Sequence, residues 1–194
     1  MVLSIIESEQ IFDEAKSKSI EQDYVRWMLH SQVVAECAQK IASKVVGLNP
    51  DKSYSLGLLH DIGRQYGNVG VRHIVLGYHF LAEMGADENA KICLTHSFPN
   101  KNEKAYTGNN DCTVTENIFL ENYMGDVTYD DYDRLIQFCD GISMPEGPVI
   151  LEKRLVESAI RNGINEYTMD KWKSYIMLKE YFDSKCGGDI YKLL

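Results

Sequence analysis

No stretch of this sequence approaches 18 consecutive apolar residues, so no membrane-spanning helix is expected. Its first residues, Met1-Val2-Leu3-Ser4-Ile5-Ile6-Glu7, lack a basic segment and a long apolar one, and do not read as a secretory leader. The five cysteines (Cys37, Cys93, Cys112, Cys139, Cys186) are odd in number, widely spaced and never form Cys-x-x-Cys. Neither a disulfide framework nor a zinc-thiolate site is expected. Three of them fall within apolar helical patterns and read as small core residues, which points to a reducing, cytoplasmic setting. Positive charge is also short: 20 Lys and Arg face 29 Asp and Glu, a net charge of −9 that argues against an extended nucleic-acid partner. A small anionic substrate stays open, because a site can be locally positive on an acidic protein. Convincing strand alternation, internal repeats and low-complexity tracts are missing as well.

What is present is a chain of 194 residues, 44% hydrophobic, long enough to bury a real core as one domain. Apolar spacing predicts an all-α fold. Helices are expected over Ile5 to Lys18, His30 to Val46, Ser53 to Gly63, Val71 to Met84 and Asp87 to about His96. Four more are expected near Val114 to Asn122, Tyr129 to Ile142, Val149 to Asn162 and Met169 to Ser184. Gly47 and Asn49-Pro50 close the second, and Phe98-Pro99 the fifth. The polar stretch 99–113 reads as an exposed loop, a candidate lid. Pro145-Glu146-Gly147-Pro148 divides a core of about 22–144 from a helical extension of about 145–194, both expected to pack as one unit.

Only five histidines occur, and four of them share one property. A helix turns about 100° per residue, so positions i, i+3, i+4 and i+7 share a face. His30 leads Val33, Val34 and Cys37; His60 follows Leu56 and Leu59; His73 heads Leu76, Gly77 and Phe80; His96 extends Asn89, Ile92 and Cys93. All four are inward positions on four expected helices. His79, six residues after His73, should face away. One inward histidine is usually a hydrogen-bonded core residue. Four need partners for eight ring nitrogens, and a shared metal meets part of that need. Asp61 and Asp140, each flanked by apolar residues, would be costly as bare carboxylates and complete the ligand set. Asp130, Asp131 and Asp133 read instead as a solvated helix start. A His and Asp site without thiolate suits Fe, Mn, Ni, Co, Zn or Mg without distinguishing them. Six ligands exceed the need of one catalytic ion, so two divalent ions bridged by a carboxylate are expected.

The block Leu58-Leu59-His60-Asp61-Ile62-Gly63-Arg64, with His30 upstream and Asp140 in Phe-Cys-Asp-Gly downstream, resembles the HD-domain superfamily of metal-dependent phosphohydrolases. The resemblance spans about Arg26 to Ile142. His73 and His96 look like the extra histidines of its dinuclear branch. The resemblance implies that His30, His60, Asp61 and Asp140 bind one metal and that Asp61 bridges to a second held by His73 and His96. It also implies hydrolysis of a phosphate ester or phosphoanhydride, of a small phosphorylated substrate such as a nucleotide, by hydroxide that a metal activates. Asp61 and Arg64 are the catalytic candidates. Arg26, Arg64, Arg72, Lys101 and Lys104 are the candidates for substrate phosphate. Tyr167, Trp172, Tyr175 and Tyr181 read as core or interface packing rather than as stacking surfaces for a base. No membrane partner is expected, and homo-oligomerisation stays open. The alternatives are a dinuclear iron oxygenase of similar fold and a non-catalytic nucleotide-binding module.

Overall fold

A computed structural model of the chain describes residues 1–17 and 22–194. Among them are nine α-helices: α1 (Ile5–Ser17), α2 (Gln22–Ala42), α3 (Pro50–Leu59), α4 (Arg72–Glu83), α5 (Asp87–Thr95), α6 (Val114–Asp126), α7 (Asp131–Asp140), α8 (Leu151–Asn162) and α9 (Thr168–Cys186). The architecture is all-α, as its patterning predicts. Lys18, the expected end of the first helix, lies outside the described residues. One difference from expectation is a two-residue antiparallel hairpin, β1 (Ser143–Met144) with β2 (Gly147–Pro148), in which Ser143 pairs with Pro148. The segment Pro145-Glu146-Gly147-Pro148 therefore makes a tight turn.

Local chemistry accounts for several boundaries. Asn49 caps α3, accepting from the Asp51 and Lys52 amides at 2.9 and 3.0 Å, and Pro50 begins the helix where its missing N–H costs nothing. Thr113 and Glu116 form a reciprocal capping box on α6, and Asp130 and Asp133 form another on α7.

The third helix stops sooner than its pattern suggests. It ends at Leu59, and a 3-10 turn over Ile62–Tyr66 follows. That turn presses its backbone onto α4: a Cβ on Gly63 would meet the His73 carbonyl oxygen at 2.0 Å and the Gly77 nitrogen at 2.6 Å. Only glycine fits there. Gly57 does the same against α2, where a Cβ would stand 2.8 Å from the Ala35 Cα. These two contacts fix α3 and its exit against both neighbours.

Three apolar clusters surround the result. Phe12, Trp27, Leu59, Ile62 and Leu81 tie α1 to α5 together. Ile74, Val75, Phe98, Leu120 and Met124 join α4, α6 and the segment after α5. Ile41, Ile136, Phe138, Tyr175, Leu178 and Phe182 pack α8 and α9 against α2 and α7, with the Phe138 and Phe182 rings 5.9 Å apart. The extension thus shares a core with α2 and α7, the helices that carry His30 and Asp140.

Candidate metal centre

His30 projects from within α2, and His73 from the first turn of α4. His60 and His96 are the C-cap residues of α3 and α5, Asp61 follows in the turn, and Asp140 is the last residue of α7. Three helix C-termini therefore converge, and the partial negative charge of their free carbonyls favours a cation between them. The expectation that His60 and Asp61 sit on one continuous helix is corrected here: the helix ends between them, because Gly63 must reach the α4 backbone.

The four histidines and Asp61 are buried, with Asp61 only 5% exposed. Neighbouring rings stack edge to face, with His60 centred 5.3 Å from His30 and 4.8 Å from His96. Asp61 lies at the focus. Its Oδ1 is 2.9 Å from His73 Nε2 and 3.5 Å from His96 Nε2, and its Oδ2 is 3.9 Å from His60 Nε2. His30 Nε2 lies 3.0 Å from Asp140 Oδ1. Donor atoms of His30, His60 and Asp61 fall within 4.8 Å of one another, as do those of Asp61, His73 and His96. Asp140 joins the first trio through His30.

The opposite ring nitrogens decide what these contacts mean. His60 Nδ1 meets the Gly57 carbonyl at 2.7 Å, His73 Nδ1 the Gly70 carbonyl, and His96 Nδ1 the Ile92 carbonyl at 3.2 Å. A carbonyl only accepts, so each Nδ1 carries the proton and each Nε2 presents a lone pair. Three lone pairs then face one carboxylate, an arrangement that repels unless positive charge stands among them. His60 Nε2 and Asp61 Oδ1 are fully buried without a hydrogen-bond partner, although His73 lies close. Arg64 supplies part of the charge from one side: its Nε donates to Asp61 Oδ2 at 2.6 Å, and a terminal nitrogen meets His73 Nε2 at 3.3 Å. A divalent ion fits the remaining donor set: imidazole nitrogens oriented through their second nitrogens, with carboxylate oxygens between them.

Electrostatics follow the same geometry. Burial lowers His60 to a pKa of about 3, and burial with the Arg64 charge lowers His73. Burial pushes Asp61 upward, but the Arg64 guanidinium beside it outweighs burial and holds the carboxyl well below its usual range. Asp140 is held low by its hydrogen bond with His30 against the same opposing burial. Neutral imidazoles beside ionised carboxylates are the protonation states that a metal ion requires.

The cluster opens into a cavity of about 960 Å³. Arg26, His30, Asp61, Arg64, His96 and Asp140 line it. The other expected phosphate contacts stand elsewhere. Arg72 pairs with Glu116 at 2.9 Å, Lys101 donates to the Val127 carbonyl, and Lys104 lies near Glu103 and Glu121; none of the three lines the cavity. His79 is exposed, stacked on Phe119 at 5.7 Å and away from the cluster. The acidic start of α7 also departs from expectation. Asp133 is fully buried, accepting from Thr95 Oγ1 and Lys91 while capping the helix. The 99–113 stretch is a fastened wall rather than a free loop. Asp111 accepts from the Gly70 and Arg72 amides, the Asn109 carbonyl accepts from Val71, and Ala105 is buried.

Two lining residues escape a sequence reading centred on histidine. Tyr106 faces the Arg64 guanidinium from the fastened loop. Lys171 comes from α9, where burial lowers its ammonium to about 8. A signal for it exists. Lys171 shares the stripe Thr168, Tyr175, Leu178 and Phe182, which is otherwise buried. A lysine on an apolar stripe marks a cavity wall. Trp172 and Tyr175 line the same wall while also packing against the core.

The HD domain family matches this chain over residues 28–144, well over half its length. The chain belongs to the HD domain family, whose members are characteristically metal-dependent phosphohydrolases. No curated protein and no solved structure matches it. No helix among the described residues is long and apolar enough to cross a membrane.

Proposed function

We propose that the protein is a metal-dependent phosphohydrolase that cleaves a phosphate ester or phosphoanhydride of a small phosphorylated compound, such as a nucleotide. The observation that carries this reading is the set of Nε2 lone pairs directed at Asp61, two buried polar atoms of which lack any other partner. His30, His60, Asp61 and Asp140 would hold one divalent ion, and His73 and His96 a second that shares Asp61. Such ions would supply an activated water and neutralise charge on the phosphoryl group.

The chain's own residues do the rest. The Gly57, Gly70 and Ile92 carbonyls keep three imidazoles in the ligating tautomer. Arg64 pins the Asp61 carboxylate and fixes the direction of its second oxygen. Arg26 borders the cavity as a cation for the phosphoryl oxygens. Burial of the cluster excludes bulk water and strengthens each of these contacts.

The test is metal analysis of the purified protein together with a phosphate-release screen over nucleotides, dinucleoside polyphosphates and artificial diesters. His60→Ala and Asp61→Ala should lose both metal and turnover. Activity surviving in both variants would refute the proposal. Oxygen-dependent turnover without phosphate release would assign the cluster to oxygenase chemistry instead.

A further inference from the structure

The far wall of the cavity has no part in the reading above. There α8 and α9 place Arg154, Arg161 and Lys171 on one wall, with Glu157 against the two arginines and the Asp140 charge acting on Lys171. Arg154 takes Glu157 at 2.7 Å, and Arg161 approaches it at 3.8 Å. Lys171 has no hydrogen-bond or ion-pair partner among the described residues, and its Nζ stands 5.9 Å from the centre of the Tyr106 ring. Three cations beside two carboxylates, Glu157 and Asp140, leave this wall locally positive on a chain whose net charge is −9. A half-buried ammonium without a partner is costly, and an anionic ligand removes that cost.

The placement also bears on what the anion is. Tyr106 touches both ends of the cavity, facing Arg64 beside Asp61 and presenting its ring to Lys171. The cavity that the histidines border thus continues past Tyr106 to Lys171. Lysine offers a compact point charge on a flexible stem, suited to a phosphoryl group rather than to a planar carboxylate fork.

We propose that Lys171 binds a second phosphoryl group of the substrate, so that the cavity selects compounds carrying two or more phosphoryl groups. The first phosphoryl group rests on the phosphohydrolase reading; the second rests on the α8–α9 wall. Lys171 is a specificity residue outside the ligand set.

Calorimetric titration of the full chain tests this without turnover, using methylenebisphosphonate as the two-group probe and methylphosphonate as the one-group probe. Lys171→Met should weaken the bisphosphonate at least about tenfold and methylphosphonate less than about twofold. Lys171→Arg should recover most of the loss, and Lys171→Gln serves as a second neutral variant if Met perturbs folding. Equal losses for both probes, no loss, or no bisphosphonate binding by the unaltered protein would each overturn the proposal. Phosphate release from an aryl phosphomonoester separates the two readings. Ester hydrolysis with bisphosphonate binding indifferent to Lys171 sinks this inference alone. Lys171-dependent binding without turnover of any phosphorylated compound sinks the phosphohydrolase reading alone.

Discussion

The two ends of the cavity solve opposite electrostatic problems. At the histidine end, negative and lone-pair groups crowd together: Asp61 and Asp140 sit among four imidazoles, and Arg64 offsets only part of the excess. At the α8–α9 end, Arg154 and Arg161 share the single carboxylate of Glu157, and Lys171 adds a third cation without an ion pair. Each end lacks the charge that the other carries, and Asp140 is the one carboxylate of the histidine end whose charge reaches Lys171. An anion bound with divalent cations would complete both, which is why the pair of ends teaches more than either alone.

Breaking the histidine end should give the largest effect. Loss of the focal ligand in Asp61→Ala, or of His60, is expected to reduce turnover by at least about 10³-fold, corresponding to several kcal/mol of lost charge stabilisation. Steady-state kinetics with metal analysis on the same samples checks this.

Cutting the packing that joins the two ends comes next. Phe138→Ala is expected to cost about 3–5 kcal/mol, because its fully buried ring contacts Phe182 and holds α9 to α7. Denaturant titration measures it, and a loss below about 1 kcal/mol would show that the extension is not seated as described.

The positive end has a pH signature. Burial depresses Lys171 to about 8, with Asp140 acting to raise it and Arg154 to lower it. Below that value the ammonium is charged and attracts anions; above it the amine is neutral. The affinity advantage of the unaltered protein over Lys171→Met should therefore be full below pH 7 and shrink as pH rises through 8. An advantage that is flat from pH 7 to 10 would contradict this.

The smallest effects lie away from both ends. Thr113→Ala removes half of the α6 capping box and should cost about 1 kcal/mol, read as a modest drop in melting temperature. His79→Ala should leave metal content unchanged, since the ring stacks on Phe119 outside the cluster.

The contrast extends to what the sequence makes legible. The convergence of the four histidines is legible because each continues an apolar helical stripe, where a titratable residue stands out against Leu, Val and Cys. Its finer geometry is not. The break after Leu59 depends on Gly63 meeting the α4 backbone, a contact 10 residues away in sequence and decided only by packing. Asp133 misleads for a related reason: capping residues and solvated acids look alike until Thr95 and Lys91, on another helix, are seen to bury it. Lys101, Lys104 and Arg72 were candidates by proximity along the chain, and the fold spends them on Val127, Glu121 and Glu116. Lys171 lies beyond the region of family resemblance, so no motif pointed to it.

Asp61 belongs to both buried groups of donor atoms, His30 with His60 and His73 with His96. The most direct measurement is metal stoichiometry by plasma mass spectrometry on the unaltered protein, His73→Ala and His30→Ala, purified in parallel with Mn²⁺ supplied. Two ions per chain are predicted, falling to one in each histidine variant. A single ion per chain, unchanged by His73→Ala, would contradict it.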